Sequence, residues 1–171
     1  MSSEIPTAWV RFLRAHAEVT SRMDRHLADE HGLSLREYEV LLALNDAPGR
    51  RLRRVDLAAA IFLTQSGVTR LLEKLERDGL VAKVAGESDR RVVYAQLTAE
   101  GRRRFVAAAL THRADIAEHF TDRLTARDLA ALDRALAKLP GGESDAPWRT
   151  PQRGTDEAAS QATRSPGRGL A

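Results

Sequence analysis

The sequence predicts a mainly helical chain with one small β-hairpin, and three observations carry that expectation. Apolar residues recur every three or four positions through most of residues 7–139. Ser, Thr and Gly stand where helices need starting and stopping. Two short β-prone runs flank the turn-rich Gly86-Glu87-Ser88-Asp89.

Taken in chain order, Pro6-Thr7 opens a helix over 7–30, with Trp9, Phe12, Leu13, His16, Val19, Met23 and Leu27 along one stripe and Gly32 as its stop. Ser34 and Glu37 form a capping box, and Leu33 and Tyr38 a hydrophobic staple, for a second helix that ends near Asn45. Ala47-Pro48-Gly49 reads as a turn. Residues 53–61 then make a short alanine-rich helix expected to turn Val55, Ala58 and Ile61 inward. Thr64 caps the next helix, whose stripe is Val68, Leu71, Leu72 and Leu75 and whose other faces present Gln65, Ser66, Thr69, Arg70, Glu73, Lys74 and Arg77. Two compact helices joined by a few turn residues are a helix-turn-helix.

Asp78-Gly79 ends that helix, and residues 80–84 and 92–97 form the hairpin. Helix, turn, helix and hairpin together make a winged helix-turn-helix over about residues 34–98. Thr98 caps a long helix running to about Phe120, with Phe105, Ala109, His112, Ile116 and Phe120 roughly on one face. Thr125 with Asp128, and Leu124 with Leu129, launch a last helix carrying Leu132, Leu136 and Leu139. From Pro140 the pattern collapses. Residues 140–171 hold four of the six prolines, five of the eleven glycines and only Trp148 and Leu170 as large apolar residues, so this segment is expected to be a disordered tail to a domain spanning 1–139.

Composition narrows the function. No run of eighteen apolar residues spans a membrane, and Arg11 and Arg14 interrupt any leader of signal-peptide type, so a cytoplasmic location without membrane association is expected. With no cysteine there is no disulfide, thiolate nucleophile or Cys-based metal site. No Gly-rich phosphate loop, metal motif or nucleophile elbow appears, so the chain is not expected to be an enzyme or to carry a cofactor. The five histidines, at 16, 26, 31, 112 and 119, include no pair at the spacing of a helical chelate, and no metal site is expected.

The net charge of +3 is unevenly spread. Residues 50–104 hold thirteen Lys and Arg against seven Asp and Glu, a surplus of six, whereas residues 1–49 hold five against eight. The positive field therefore lies on the helix-turn-helix and hairpin, as a polyanion-binding face requires. Helices 7–30 and 98–139 flank that module with apolar stripes wider than one small domain needs. They are the expected contacts of a two-fold homodimer, which would set two reading helices roughly 34–36 Å apart.

Several stretches resemble the MarR family of bacterial transcriptional regulators. They are Val55-Asp56-Leu57-Ala58, Gln65 through Glu76, Asp78-Gly79-Leu80-Val81, Asp89-Arg90-Arg91, and Leu97-Thr98-Ala99-Glu100-Gly101. The resemblance covers residues 7 to about 139. It implies a homodimeric winged-helix protein that binds pseudo-palindromic double-stranded promoter DNA, often as a repressor released by a small phenolic or other aromatic effector. A transcriptional activator, or a winged-helix module that binds protein instead of DNA, are the alternatives. Two positions depart from the family pattern. Gly67 stands where many members have Ser or Thr, suggesting close backbone or base approach, and Phe62 occupies a turn where glycine is common.

On this resemblance Arg70 reaches a guanine O6/N7 edge, while Gln65, Ser66 and Thr69 take base or phosphate contacts. Arg54, with Arg51 and Arg53, touches phosphate. Lys74 and Arg77 lie farther along, at positions suited to phosphate contact or to solvation. In the hairpin Asp89 stiffens the turn by holding one arginine while the other, Arg90 or Arg91, enters the minor groove. Trp9, Phe12, His16, Tyr38 and His112 are the candidates for an effector pocket, or for the dimer core, where aromatic and polar groups mix.

Overall fold

A computed structural model of the chain describes residues 6–61, 63–86 and 92–140. The elements are α1 (Thr7–His31), α2 (Leu35–Asp46), a short 3₁₀ turn (Pro48–Arg50), β1 (Arg51–Arg53), α3 (Arg54–Ala60), α4 (Gln65–Arg77), β2 (Val81–Ala85), β3 (Val93–Leu97), α5 (Ala99–His119), a second 3₁₀ turn (Thr121–Arg123) and α6 (Ala126–Leu136). The expected tail from residue 141 onward and Phe62 lie outside the described residues.

Local chemistry sets most helix boundaries. At Gly32 the chain turns left-handed, with φ +64°, and its N–H reaches the Ala28 carbonyl while Leu33 N–H reaches that of Leu27, closing the end of α1. Ser34 and Glu37 make the reciprocal capping box of α2, and Thr125 and Asp128 that of α6. Asp24 on α1 adds a further cap, since its Oδ1 accepts the Leu35 N–H at 2.8 Å.

α2 is the hub of the core. Tyr38, Val40, Leu41, Leu42 and Leu44 are all buried, and the helix packs against α1, α3, α4, α5 and β3. A helix buried nearly all round leaves little amphipathic signal of its own. Leu27, Leu57, Ile61, Val68, Leu75, Leu80 and Phe105 complete the same core. α1 lies along α5, joined by His31 Nε2 to Thr111 Oγ1 at 2.7 Å and by the Arg104 guanidinium, which donates to the His31 carbonyl at 2.8 Å.

Several expectations are corrected. The sheet has three strands in the order β1-β3-β2, all antiparallel, because Arg51-Leu52-Arg53 pairs with β3 through Leu52 opposite Ala95. Arg-Leu-Arg is too short a run for its alternation to signal a strand, and the pairing is set by the open edge of β3. Arg51 also lies 5.3 Å above the Tyr94 ring. Val55 does not turn inward: it is 46% exposed in the first turn of α3, while Leu57, Ala58 and Ile61 form the buried face. Phe120 and Leu139 fall beyond the ends of α5 and α6 and are exposed. Among the described residues no single helix is long and apolar enough to cross a membrane.

Candidate nucleic-acid interface

α4 is an amphipathic helix whose buried side, Val68, Leu72 and Leu75, faces the core. Gln65, Ser66, Arg70, Glu73 and Arg77 are exposed, and Thr69 is half-buried. The Thr64 hydroxyl starts the helix by accepting the Gly67 N–H at 3.2 Å. Gly67 is thus the third residue of the first turn. A Cβ there would stand 3.3 Å from Thr64 Oγ1, so the glycine leaves room for the cap.

The two helices of the helix-turn-helix are tied by polar contacts. Thr69 Oγ1 donates to the Gln65 carbonyl at 2.8 Å and accepts from Arg54 Nη1 at 3.4 Å, bringing Arg54 beside the exposed face of α4. Arg53 forms a paired contact with Asp56 at 2.6 and 2.9 Å, and that hydrogen bonding holds the Asp56 carboxyl below its ordinary range. An open groove of about 550 Å³ runs between α4 and the sheet, with Arg54, Val55, Thr69, Lys83 and Val93 among its walls.

Lys74 faces elsewhere. Its ammonium bonds to Glu37 Oε1 on α2 and lies 3.5 Å from Asp78 Oδ2. Burial pushes the Glu37 carboxyl up, but the Lys74 ammonium and the two Ser34 hydrogen bonds outweigh it and leave the carboxyl below its usual pKa. The hydrogen bond to Glu37 raises Lys74 correspondingly.

β2 and β3 pair in register from Val81 opposite Leu97 to Ala85 opposite Val93, and Gly86 N–H closes the ladder on the Val92 carbonyl at 2.8 Å. The candidate residues Asp89, Arg90 and Arg91 lie outside the described residues. At the base of the hairpin Thr98 donates its hydroxyl to the Gly79 and Leu80 carbonyls, at 2.8 and 3.1 Å, and accepts the Gly101 N–H at 2.9 Å. One side chain therefore fixes the hairpin to the start of α5.

The effector candidates fall into two groups. Trp9, Phe12 and His16 follow one another along the exposed half of α1, with ring centroids 6.2 and 6.4 Å apart. Tyr38 and His112 meet inside, 4.5 Å apart, with Phe105 stacked on Tyr38 at 5.6 Å. Burial pushes the Tyr38 phenol up and His112 down. Neither Tyr38 Oη nor His112 Nδ1 finds a hydrogen-bond partner among the described residues, although both are buried.

Two carboxylates were not legible as site residues from the sequence. Glu37 reads there only as half of a capping box, and Asp115 carries no local signal. Asp115 is 2% exposed, and its Oδ1 holds His26 Nδ1 of α1 at 2.6 Å. That hydrogen bond raises the His26 pKa. Among the described residues no group of three or more His, Asp and Glu is placed to hold a metal ion.

A capped helix presenting polar side chains, preceded by a short helix and followed by an antiparallel hairpin, defines a winged helix-turn-helix protein. The MarR family profile matches residues 31–92. The structure of AbsC from Streptomyces coelicolor, a MarR family transcriptional regulator, superposes with a TM-score of 0.75 at 32% identity, covering 83% of this chain and 97% of AbsC. Sco3205 from the same organism, a MarR family transcriptional regulator solved in complex with DNA, gives a TM-score of 0.75 at 28% identity over 86% of this chain and 98% of Sco3205. The transcriptional repressor YetL of Bacillus subtilis is 31% identical over 100 residues, 57% of this chain but only 60% of YetL. The chain belongs to the MarR family.

Proposed function

We propose that this protein is a homodimeric, sequence-specific double-stranded DNA-binding regulator of transcription, acting in the cytoplasm as a repressor released by a small aromatic or phenolic effector. The observation that carries the DNA-binding part is α4 itself. Its apolar side is locked in the core while Gln65, Ser66, Thr69 and Arg70 line the outward side, with Arg54 held against Thr69. A helix so presented fits the major groove, where Arg70 would take a guanine edge and the shorter side chains flanking bases or phosphates. From the hairpin, Arg90 or Arg91 would enter the minor groove, with Asp89 holding the other. AbsC and Sco3205, both named as regulators, and YetL, named as a repressor, support the regulatory and repressor parts respectively.

The homodimer is supported by apolar surface that this chain leaves uncovered. Trp9, Phe12 and Leu13 on α1, and Val106 and Leu110 on α5, are 43–53% exposed, and α6 buries none of its residues. The effector part is supported by Tyr38 and His112, buried polar groups beside an aromatic stack that a phenolic or carboxylate group would satisfy. Trp9, Phe12 and His16 would meet the same effector only from the dimer side. A mobility-shift assay on DNA upstream of the gene tests the function: retention of that duplex against excess unrelated DNA is expected. Equal competition by both would refute it.

A further inference from the structure

We propose that Lys74 is a positioning residue of the reading head, acting through Glu37 and not through a DNA phosphate. The inference rests on α4 being the element that enters DNA. Lys74 is a basic residue on that helix, where a phosphate contact is the ordinary expectation, yet its ammonium, on a side chain 44% exposed, is engaged by Glu37 with Asp78 nearby. Glu37 is 3% exposed. Its Oε1 takes Lys74, while its Oε2 accepts the Ser34 N–H at 2.8 Å and the Ser34 hydroxyl at 2.9 Å. A buried carboxylate needs such partners, and removing Lys74 takes away its counter-charge, leaving Oε1 without a donor among the described residues and only the Ser34 bonds on Oε2.

The link has a direction. Asp24 of α1 holds the first amide of α2 at Leu35, Glu37 stands two residues on in the same first turn, and Lys74 carries the contact on to α4. A chain of polar contacts thus runs from a proposed dimer helix, through the start of α2, to the reading helix. Val68, Leu72 and Leu75 bury α4 against the core, but apolar contacts are by themselves non-directional. The Lys74–Glu37 bond is directional and selects one orientation. Lys74 therefore governs discrimination between DNA sequences more than attraction to DNA in general.

Phosphate contact and positioning predict different salt slopes and different affinity ratios, which makes the inference testable with the full-length chain. The probes are a labelled duplex enriched by the wild-type chain from a random-sequence library and a scrambled duplex of the same composition. Anisotropy titrations across a salt series compare wild type with Lys74→Gln, Glu37→Gln, the double variant and Lys74→Arg, each first shown by circular dichroism to be folded at the assay temperature. The expected result is a loss of about tenfold in the ratio of enriched to scrambled affinity for each single Gln variant, with the double variant no worse than either. The salt slope stays unchanged, and Lys74→Arg restores the ratio.

A Lys74→Gln slope shallower by about 0.9 per protomer, with equal loss on both duplexes, would mean a phosphate contact and overturn the inference. So would tighter binding by Glu37→Gln, the outcome if removing a negative charge near a polyanion were its only effect. A lowered melting temperature with the affinity ratio intact would leave a merely structural ion pair and equally overturn it. If no sequence is enriched by the wild-type chain, the proposed function itself fails and takes this inference with it.

Discussion

Replacing Gly101 with alanine is expected to destabilise the junction between the hairpin and α5. A Cβ at this position would stand 2.0 Å from the Leu80 carbonyl oxygen, 2.9 Å from its carbon and 2.9 Å from Leu97 Cδ1, and real Cβ contacts do not fall below 3.0 Å. The start of α5 and the Leu80 carbonyl must therefore separate by about 1 Å, a movement of backbone and not of a flexible side chain. That carbonyl accepts both the Thr98 N–H and the Thr98 hydroxyl at 3.1 Å, so the movement stretches the two bonds that tie the hairpin down. Overpacking of this kind costs about 1–3 kcal/mol, and two weakened hydrogen bonds add about 1–2 kcal/mol. The sum, about 2–5 kcal/mol, corresponds to a fall in melting temperature of about 5–15 °C for a chain of this size. Thermal melts of Gly101→Ala followed by far-UV circular dichroism measure it. A midpoint within about 1 °C of wild type would show that the contact is loose and refute the packing argument.

Three further outcomes follow from the buried and capping groups. Tyr38→Phe removes a buried hydroxyl that has no partner among the described residues, so the free chain keeps or raises its melting temperature in thermal melts, while release from DNA by the proposed aromatic effector should weaken. Thr125→Ala removes the capping box of α6, where Thr125 and Asp128 exchange bonds at 3.1 and 3.2 Å, and costs about 1 kcal/mol. With α6 at the proposed dimer contact, sedimentation should show weaker association, and unchanged association would remove α6 from it. His26 and His112 titrate in opposite senses. Asp115 raises His26, so its contribution is complete below the ordinary 6.5 and fades as pH rises through the raised value. Burial lowers His112, so its penalty is absent above 6.5 and grows as pH falls through that value toward the lowered one. Melts of His26→Gln should therefore converge on wild type at alkaline pH, whereas His112→Gln should lose less stability than wild type on acidification; the reverse pattern would contradict both assignments.

The sequence is legible where the cause is local. Ser34 with Glu37 and Thr125 with Asp128 sit three residues apart, and each capping box forms as its spacing requires. The stripe of α4 reads correctly because Val68, Leu72 and Leu75 face one core. What the sequence hides is set by partners brought together only by folding. His26 and Asp115 are 89 residues apart, and nothing near either signals a shared hydrogen bond. Glu37 serves two helices at once, but only its bonds to Ser34 are local. β1 exists because β3 offers an edge, and Val55 misleads because the face of a seven-residue helix shifts with the neighbour it meets. Gly101 stands in a stretch that resembles the family, yet its reason, the nearby Leu80 carbonyl, is visible only in three dimensions.

The most direct test of the central claim is the affinity of the full-length chain for DNA from upstream of its own gene, measured with wild type and with a variant carrying both Arg70→Ala and Arg91→Ala. Wild type should bind that duplex at least about a thousandfold more tightly than unrelated DNA, and the double substitution should abolish the preference while leaving the protein folded. Equal affinity of wild type for both duplexes, or a preference untouched by losing both arginines, would contradict the account.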